Sequence, residues 1–156
     1  MIYPILKSSD PVVRAVCTPV MFFDDGELGR LGHDLLESLA ASKRPGVGLS
    51  ANQIGYPLRV FVLDFSTMPR EGTPPTQVFV NPVISKGRQL KAGLEGCLSC
   101  EPSDDRRVLR FNIINWKAQD VNGNHIHGKA HGFLARAIQH EIDHLNGILI
   151  LDRPKA

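Results

Sequence analysis

Two histidines and a glutamate near the end of the chain could hold a metal ion and use it. His140 and His144 are four residues apart, and Glu141 directly follows the first histidine. In an α-helix, a step of four residues returns to nearly the same side, so both imidazoles would face one point. Glu141 would lie on a neighbouring side, within reach of a water on that ion. The pattern indicates a metal site with two ligands and a proton carrier that is not itself a ligand.

The residues around this motif favour a largely buried helix. Gly132 would open it, and Asn146-Gly147 would end it, because either residue tolerates the left-handed conformation of a helix cap. Apolar side chains recur between these ends at helical spacing: Phe133, Leu134, Ala137, Ile138, Ile142 and Leu145. A helix with two ordinary core histidines is the alternative, but the pair together with Glu141 favours metal binding.

A third ligand could come from the segment 95–100, because catalytic metal sites commonly use three protein ligands and keep one position for water. Cys97 offers a thiolate, which is a strong ligand for zinc or iron. Cys100 follows at the C-x-x-C spacing, so a closed site of two cysteines and two histidines is a rival interpretation. Residues three apart on a strand point to opposite faces, and we therefore expect Cys100 to face away from the metal.

Composition limits the class of protein. The chain has 156 residues, of which 42% are hydrophobic and 22% are charged, and this suits one globular domain over residues 1–156. A formal net charge of +2 is too small to indicate nucleic-acid specificity or membrane binding. We find no apolar run of membrane-spanning length and no signal-peptide pattern. Three cysteines, an odd number, indicate free thiols and a cytoplasmic protein.

The order of predicted elements favours an α+β fold. One helical segment would start at Asp10-Pro11, and a second would run from Asp24-Asp25 to about Ser42. Strands are predicted over 59–64, 78–85, 89–94 and 108–116, with a hairpin turn at Asn122-Gly123. The histidine helix and a short buried strand at 148–151 follow. Strands grouped in one block predict antiparallel or mixed sheets packed around this central C-terminal helix.

Three segments together resemble the signature motifs of the peptide deformylases. They are GVGLSANQ at 46–53, EGCLS at 95–99 and QHEIDHL at 139–145, in the family's order and at similar spacing. Weaker similarity at 10–14 and 58–62 extends the resemblance over nearly the whole chain. It implies a hydrolase that removes the formyl group from the N-terminal formylmethionine of new polypeptides and releases formate.

The resemblance implies a role for each residue of the metal site. Cys97, His140 and His144 would bind one divalent ion, natively Fe(II) and often zinc, nickel or cobalt in isolated protein. A water would fill the fourth position. Glu141 would take a proton from that water and pass it to the leaving amine.

The resemblance also implies how substrate is held. The side-chain amide of Gln53 and the backbone N–H of Leu98 would stabilise the developing oxyanion. Gly46 and Gly48 would bind the substrate backbone, and Glu95 would support the site. We expect an apolar methionine pocket formed by Val47, Phe133 and Ala137, because the helix carries the last two near its histidines. The partners would be formylmethionyl nascent peptides, with transient ribosome contact, and the enzyme would be a monomer.

The sequence departs from the family pattern in a few places. Ser50 and Asn52 stand where alanine and proline are more usual, and we expect little effect from either. Cys100 stands where an aliphatic residue is common. Most members continue into a further C-terminal helix, whereas this sequence ends soon after Asp152-Arg153, so we expect a short form of the family.

Two other functions stay open at this point. A zinc metallopeptidase would use the same helix, cleave internal peptide bonds and take a histidine, glutamate or aspartate as third ligand, which would make Cys97 dispensable. A closed site of Cys97, Cys100, His140 and His144 would instead be structural, without catalysis, and the fold would be lost with the metal.

Overall fold

A computed structural model of the protein describes residues 1–23 and 25–156. The described helices and strands are, in order, α1 (Glu27–Ala40), β1 (Gly48–Ser50), β2 (Val60–Asp64), β3 (Thr76–Glu95), β4 (Arg106–Gln119), β5 (His125–His131) and α2 (Gly132–Leu145). Short 3-10 helices lie at Ala51–Ile54, Pro102–Asp104 and Ile150–Asp152. The protein is therefore of the predicted α+β class.

The five strands form one sheet in chain order, and every neighbouring pair is antiparallel. The expectation of several antiparallel or mixed sheets is corrected to this single sheet. Parallel pairing within the described residues is limited to an isolated bridge between Thr18 and Leu58. Strands that follow one another pair directly, because short links favour antiparallel neighbours. The pairing of β3 with β4 runs to Glu95 and Arg106, so the loop 96–105 returns beside Glu95.

Strand β2 is covered by a helix on each face. Phe61 and Leu63 belong to the core beneath α2, whereas Val60 and Val62 belong to the core beneath α1. Successive side chains of a strand point to opposite faces, which explains this division. The predicted apolar stripe of α2 packs into its core together with Phe79, Ile114 and Trp116 of the sheet (Phe133, Leu134, Ala137, Ile138, Ile142 and Leu145). Helix α2 contacts all five strands.

Several boundaries differ from the predictions. Residues 8–15 form successive turns, with Val13 and Arg14 N–H groups donating three residues back, and not a helix. The predicted start at Asp24-Asp25 falls partly on Asp24, which lies outside the described residues. Residues 148–151 do not form the predicted strand. A 3-10 helix over Ile150–Asp152 stands there instead, and the Leu149 N–H at its start donates to Asp152 Oδ2 at 2.9 Å. Among the helices of the described residues, none is long and apolar enough to cross a membrane.

Candidate metal centre and active site

Three potential metal ligands meet where α2 faces the loop that follows β3. The Nε2 atoms of His140 and His144 lie 3.2 Å apart, and Cys97 Sγ lies 3.3 Å from His144 Nε2. All three ligand atoms fall within 4.8 Å of one another. Cys97 and His144 are buried, and His140 is half-buried. The four-residue spacing on α2 brings the two histidines together, and the loop after β3 brings Cys97 to them. The three predicted ligands therefore meet.

The donor set fits a divalent transition metal. Sulfur together with imidazole nitrogen suits zinc and iron, whereas magnesium and calcium prefer oxygen. His140 Nδ1 lies 2.9 Å from Glu95 Oε1, a contact that places the ring proton on Nδ1 and leaves the Nε2 lone pair facing the cluster. Burial lowers the pKa of His144 well below its ordinary value, so this imidazole stays neutral. The Nε2 atoms of both rings thus face the ligand cluster, and that of His144 belongs to a neutral imidazole.

Cys97 lies in a tight turn and not on a strand. The Cys100 N–H donates to the Cys97 carbonyl oxygen at 3.1 Å, and the argument that placed Cys100 on an opposite strand face is therefore wrong. The candidate ligand group found at this point of the described chain nevertheless consists of Cys97, His140 and His144, without Cys100. Arg44 holds the turn by donating to the carbonyl oxygens of Cys97 at 3.3 Å and Cys100 at 2.7 Å.

The amide of Gln53 is oriented by its neighbours. Its Oε1 accepts the Ser50 N–H at 2.9 Å and the Ser50 hydroxyl at 3.0 Å. Its Nε2 donates to Ser99 Oγ at 3.0 Å and lies 4.0 Å from Cys97 Sγ. The carbonyl end is held by Ser50 at the start of the 3-10 helix Ala51–Ile54, so the NH₂ end faces the cysteine turn.

Glu141 is a buried carboxyl beside the ligand cluster. The residue is 4% exposed, and no hydrogen-bond partner for its Oε2 is found among the described residues. Burial raises its pKa to about 7, which makes the group able to accept and release a proton near neutrality. A Cβ atom added at Gly48 would overlap Glu141 Oε1 and lie 2.9 Å from its Cδ. Only glycine therefore leaves room for this carboxylate.

The Gly48→Ala substitution is expected to displace the Glu141 carboxylate and lower kcat by roughly 10²-fold, because small misplacements of a reacting group can cost that much. The measurement is kcat for the formate release that the sequence resemblance implies, with metal content and thermal unfolding recorded on the same preparation. Gly29→Ala is the matched control, since no atom lies within 4 Å of a Cβ placed there. An unchanged kcat for Gly48→Ala would contradict this assignment.

Behind His140 lies a buried ion-pair network centred on Arg110. Its Nε and Nη2 each lie 2.9 Å from a Glu95 oxygen, and its Nη1 lies 2.5 Å from Asp143 Oδ2. Burial alone would raise the pKa of Glu95, but the hydrogen bonds from Arg110 and His140 outweigh it and hold this pKa well below its ordinary value. Glu95 is therefore a carboxylate that fixes the ring of His140.

Two further arginines complete the network, and sequence reasoning missed all three. Arg136 Nη1 lies 2.7 Å from Glu95 Oε2, and Arg153 Nη2 lies 2.6 Å from Asp143 Oδ1. Arg110, Arg136 and His140 contact both oxygens of Glu95, so this carboxylate orients His140, and Glu95 also lines the cavity where the sequence predicted that it would help to bind substrate. The sequence offered one weak signal for this network, since Arg110 occupies a position of β4 at which the alternating pattern places side chains inward.

A cavity of about 470 Å³ opens onto the cluster. The predicted residues that line it are Gly46, Val47, Gly48, Gln53, Glu95, Cys97, Leu98, Phe133, Ala137, His140 and Glu141. His144 lies beneath the wall and is almost wholly buried. The lining also includes residues that sequence reasoning did not name: Arg44, Pro45, Met68, Leu94, Gly96, Pro102, Asp105 and Arg136. Phe133 packs edge-on against Phe65, and the Arg70 guanidinium lies 4.1 Å from its ring centroid.

Comparisons with known proteins agree over nearly the whole chain. Residues 2–156 match the family described as polypeptide deformylase. The peptide deformylase of Zymomonas mobilis is 41% identical over 153 residues, covering 96% of this chain and 84% of that protein. The peptide deformylase of Heliobacterium modesticaldum is 42% identical over 152 residues, covering 97% of this chain and 93% of that protein. The crystal structure of peptide deformylase from Thermotoga maritima has a TM-score of 0.88 at 34% identity, covering 100% of this chain and 99% of that one. The chain therefore belongs to the peptide deformylase family of metal-dependent hydrolases.

Proposed function

We propose that residues 1–156 form one catalytic domain in which Cys97, His140 and His144 bind a single divalent metal ion. Family membership gives the activity, which is hydrolytic removal of the N-formyl group from nascent polypeptides with release of formate. The observation that carries the residue assignment is the convergence of three ligand atoms within 4.8 Å beside a cavity. Helix α2 would then be the central metal-binding helix of the fold.

We propose Fe(II) as the native ion, with zinc, nickel or cobalt able to replace it in isolated protein. When bound, the ion would supply Lewis-acid activation of water at neutral pH. The Cys97 thiolate would cancel one of its two positive charges. A site of this kind suits the reactive, unhindered formyl carbon better than an ordinary peptide bond.

Glu141 is assigned to proton transfer. Its carboxylate would accept a proton from the attacking water and deliver it to the amine that leaves with the methionine residue. Its burial and its position beside the ligand cluster support this assignment. A bound cation would favour the ionised carboxylate and so lower the pKa that burial raises.

The developing negative charge on the formyl oxygen would be held by Gln53 and Leu98. Gln53 Nε2 faces the cysteine turn because its carbonyl end is bound to Ser50. A donor of this kind contributes roughly 3 kcal/mol to transition-state stabilisation in comparable sites. Leu98 belongs to the same turn and lines the same cavity.

The substrate backbone would lie along Gly46 and Gly48. Strand β1 is at the edge of the sheet, so an extended peptide could pair with it as an added strand. The methionine side chain would enter the apolar part of the cavity formed by Val47, Phe133 and Ala137. The reaction would thus be placed between the edge strand and α2.

The Phe133→Asp substitution is expected to raise KM for a formyl-Met peptide by roughly 10- to 100-fold, because burying a methionine-sized side chain contributes about 1.5–3 kcal/mol. Steady-state kinetics measure the effect, with a formyl-Gly peptide as control substrate, since its small side chain gains little from the pocket. If KM for the formyl-Met peptide were unchanged, the pocket assignment would be wrong.

Two cysteine substitutions test the metal assignment against its rivals. Cys97→Ser is expected to lose at least about tenfold in metal affinity and to lose formate release, because even removing a group that only hydrogen-bonds to a ligand costs roughly 10- to 100-fold. Cys100→Ser is expected to keep metal and activity. Metal analysis on anaerobically prepared protein and a formate assay measure both.

The rivals predict different results for the same variants. A metallopeptidase with another third ligand would keep its metal in Cys97→Ser and would cleave internal peptide bonds. A structural site of two cysteines and two histidines would lose metal and fold in both variants.

The partners follow from the substrate. Formylated peptides emerge from ribosomes, so we propose a cytoplasmic enzyme that contacts the ribosome transiently. We further propose that it works as a monomer, because the candidate site is built from residues of one chain.

A further inference from the structure

A second thiol lies in the same turn as the proposed metal ligand. Cys97 and Cys100 are the ends of a turn closed by the Cys100 N–H and the Cys97 carbonyl oxygen at 3.1 Å. A turn of this kind brings its end Cα atoms within about 7 Å, and disulfides span Cα distances of about 4.4–6.8 Å. Both cysteines are free thiols in this structure. The backbone therefore already has a span that a disulfide can bridge.

The turn is held in this shape from outside. The Arg44 guanidinium donates to the carbonyl oxygens of both cysteines, at 3.3 and 2.7 Å, and lies 3.7 Å from Asp105. Fixing both ends of the turn lowers the entropic cost of bringing the two sulfur atoms together.

The two sulfurs differ in their surroundings. Cys97 lines the cavity, so a small oxidant that enters with solvent can reach it. Both cysteines belong to the apolar cluster that contains Val13, Val108 and Ile150, but Cys100 is not among the residues that line the cavity. An oxidant can therefore react with Cys97 first, and Cys100 lies behind it as the thiol that completes the disulfide bond.

We propose that Cys97 and Cys100 form a reversible disulfide that withdraws the thiolate ligand and releases the metal ion. The inference rests on the proposed role of Cys97 as a ligand. A peroxide would oxidise Cys97 to the sulfenic acid with release of water or an alcohol. Cys100 sulfur would then attack Cys97 sulfur, forming the S–S bond, breaking the S–O bond and expelling a second water with the Cys100 proton. Two electrons pass from the thiol pair to the peroxide.

The third cysteine lacks the features that this reaction needs. Cys17 is buried in the core beneath α2, where the described part of the chain places no second cysteine beside it. It is not among the residues that line the cavity, so a small oxidant that enters there does not reach it. The protein therefore carries its own unreactive reference thiol.

The experiment treats zinc-loaded protein with hydrogen peroxide, zinc being chosen because it has no redox chemistry of its own. We expect the intact mass to fall by two hydrogen atoms, a Cys97–Cys100 link in peptide mapping, and release of about one zinc per disulfide. A dithiol reductant with added zinc is expected to reverse all three changes. Cys17→Ser should respond in the same way as the unmodified protein.

Cys100→Ser is the decisive variant, with Cys100→Val as a second version that keeps the pocket of Cys100 apolar. In both, peroxide is expected to add oxygen atoms to Cys97, with zinc loss that dithiol does not reverse once the sulfinic acid has formed. The inference is overturned if unmodified protein gains oxygen on Cys97 without the link, or if zinc loss remains equally reversible in these variants. A link that forms while zinc stays bound would overturn the release and also the ligand role of Cys97. Absence of the link, when Cys97→Ser loses its metal, would overturn only this inference.

Discussion

Glu141→Gln is expected to lower kcat by roughly 10²- to 10⁴-fold, the range that a positioned general acid–base group contributes. Glutamine has nearly the same shape as glutamate, so the packing against Gly48 should be kept. It cannot accept a proton from water at neutral pH. Glu141 is not one of the three grouped ligands, so the bound metal should remain. The change should thus remove turnover without removing the metal.

The measurement combines kcat on a formyl-Met peptide with metal content and thermal unfolding of the same preparation. Glu71→Gln on the exposed loop before β3 is a matched control and should leave all three values unchanged. Retention of most of the turnover would exclude Glu141 as the proton carrier. Loss of the metal would instead make Glu141 a ligand.

Arg110→Met is expected to destabilise the protein by about 3–5 kcal/mol, because removing one partner of a buried ion pair leaves an uncompensated charge. Here two carboxylates lose their partner, since Glu95 and Asp143 are 6% and 7% exposed and both contact Arg110. Arg136 and Arg153 would remain beside them and would limit the loss. The ring of His140 should also become less well oriented, because its contact to Glu95 would weaken.

Denaturant unfolding at a fixed metal concentration measures the change in stability. Arg107→Met is the control, because Arg107 is exposed and is paired with a residue of β3. This change should alter the free energy of unfolding by less than about 0.5 kcal/mol. Adding Glu95→Gln to Arg110→Met should restore part of the loss, since one buried charge is then removed. A loss below about 1 kcal/mol for Arg110→Met would show that the network contributes little.

Helix α2 and the hairpin before it could be predicted from short stretches of sequence, because neighbouring residues determine both. Helix α2 combined an apolar stripe with a glycine at each end, and it begins at Gly132 and ends at Leu145. The hairpin at Asn122-Gly123 was also predicted correctly, because Gly123 supplies the positive φ that the turn needs. The two histidines of the helix then required no further information to be placed on one side.

Long-range pairing could not be predicted in the same way. Strand β3 continues through residues 86–88, which separated the predicted strands 78–85 and 89–94, because β4 pairs with it along most of its length. Cys100 was assigned to a strand because the turn that contains it is specified partly by Arg44, which is distant in sequence. Arg110 was overlooked because its two carboxylate partners come from a different strand end and from α2. Each of these features depends on residues that meet only after folding.

The long pairing of β3 with β4 limits the insertions and deletions that these two strands can tolerate. Irregularities in register lie between Val80 and Val83 and between Ile84 and Lys86, and from Lys86 onward the pairing is regular up to Glu95 and Arg106. Because side chains alternate along a strand, adding or deleting one residue in this stretch would invert every later position. Glu95 would then point to solvent and the cysteine would be carried away from the histidines. Length changes here should therefore survive only in multiples of two, or as single residues absorbed at a bulge.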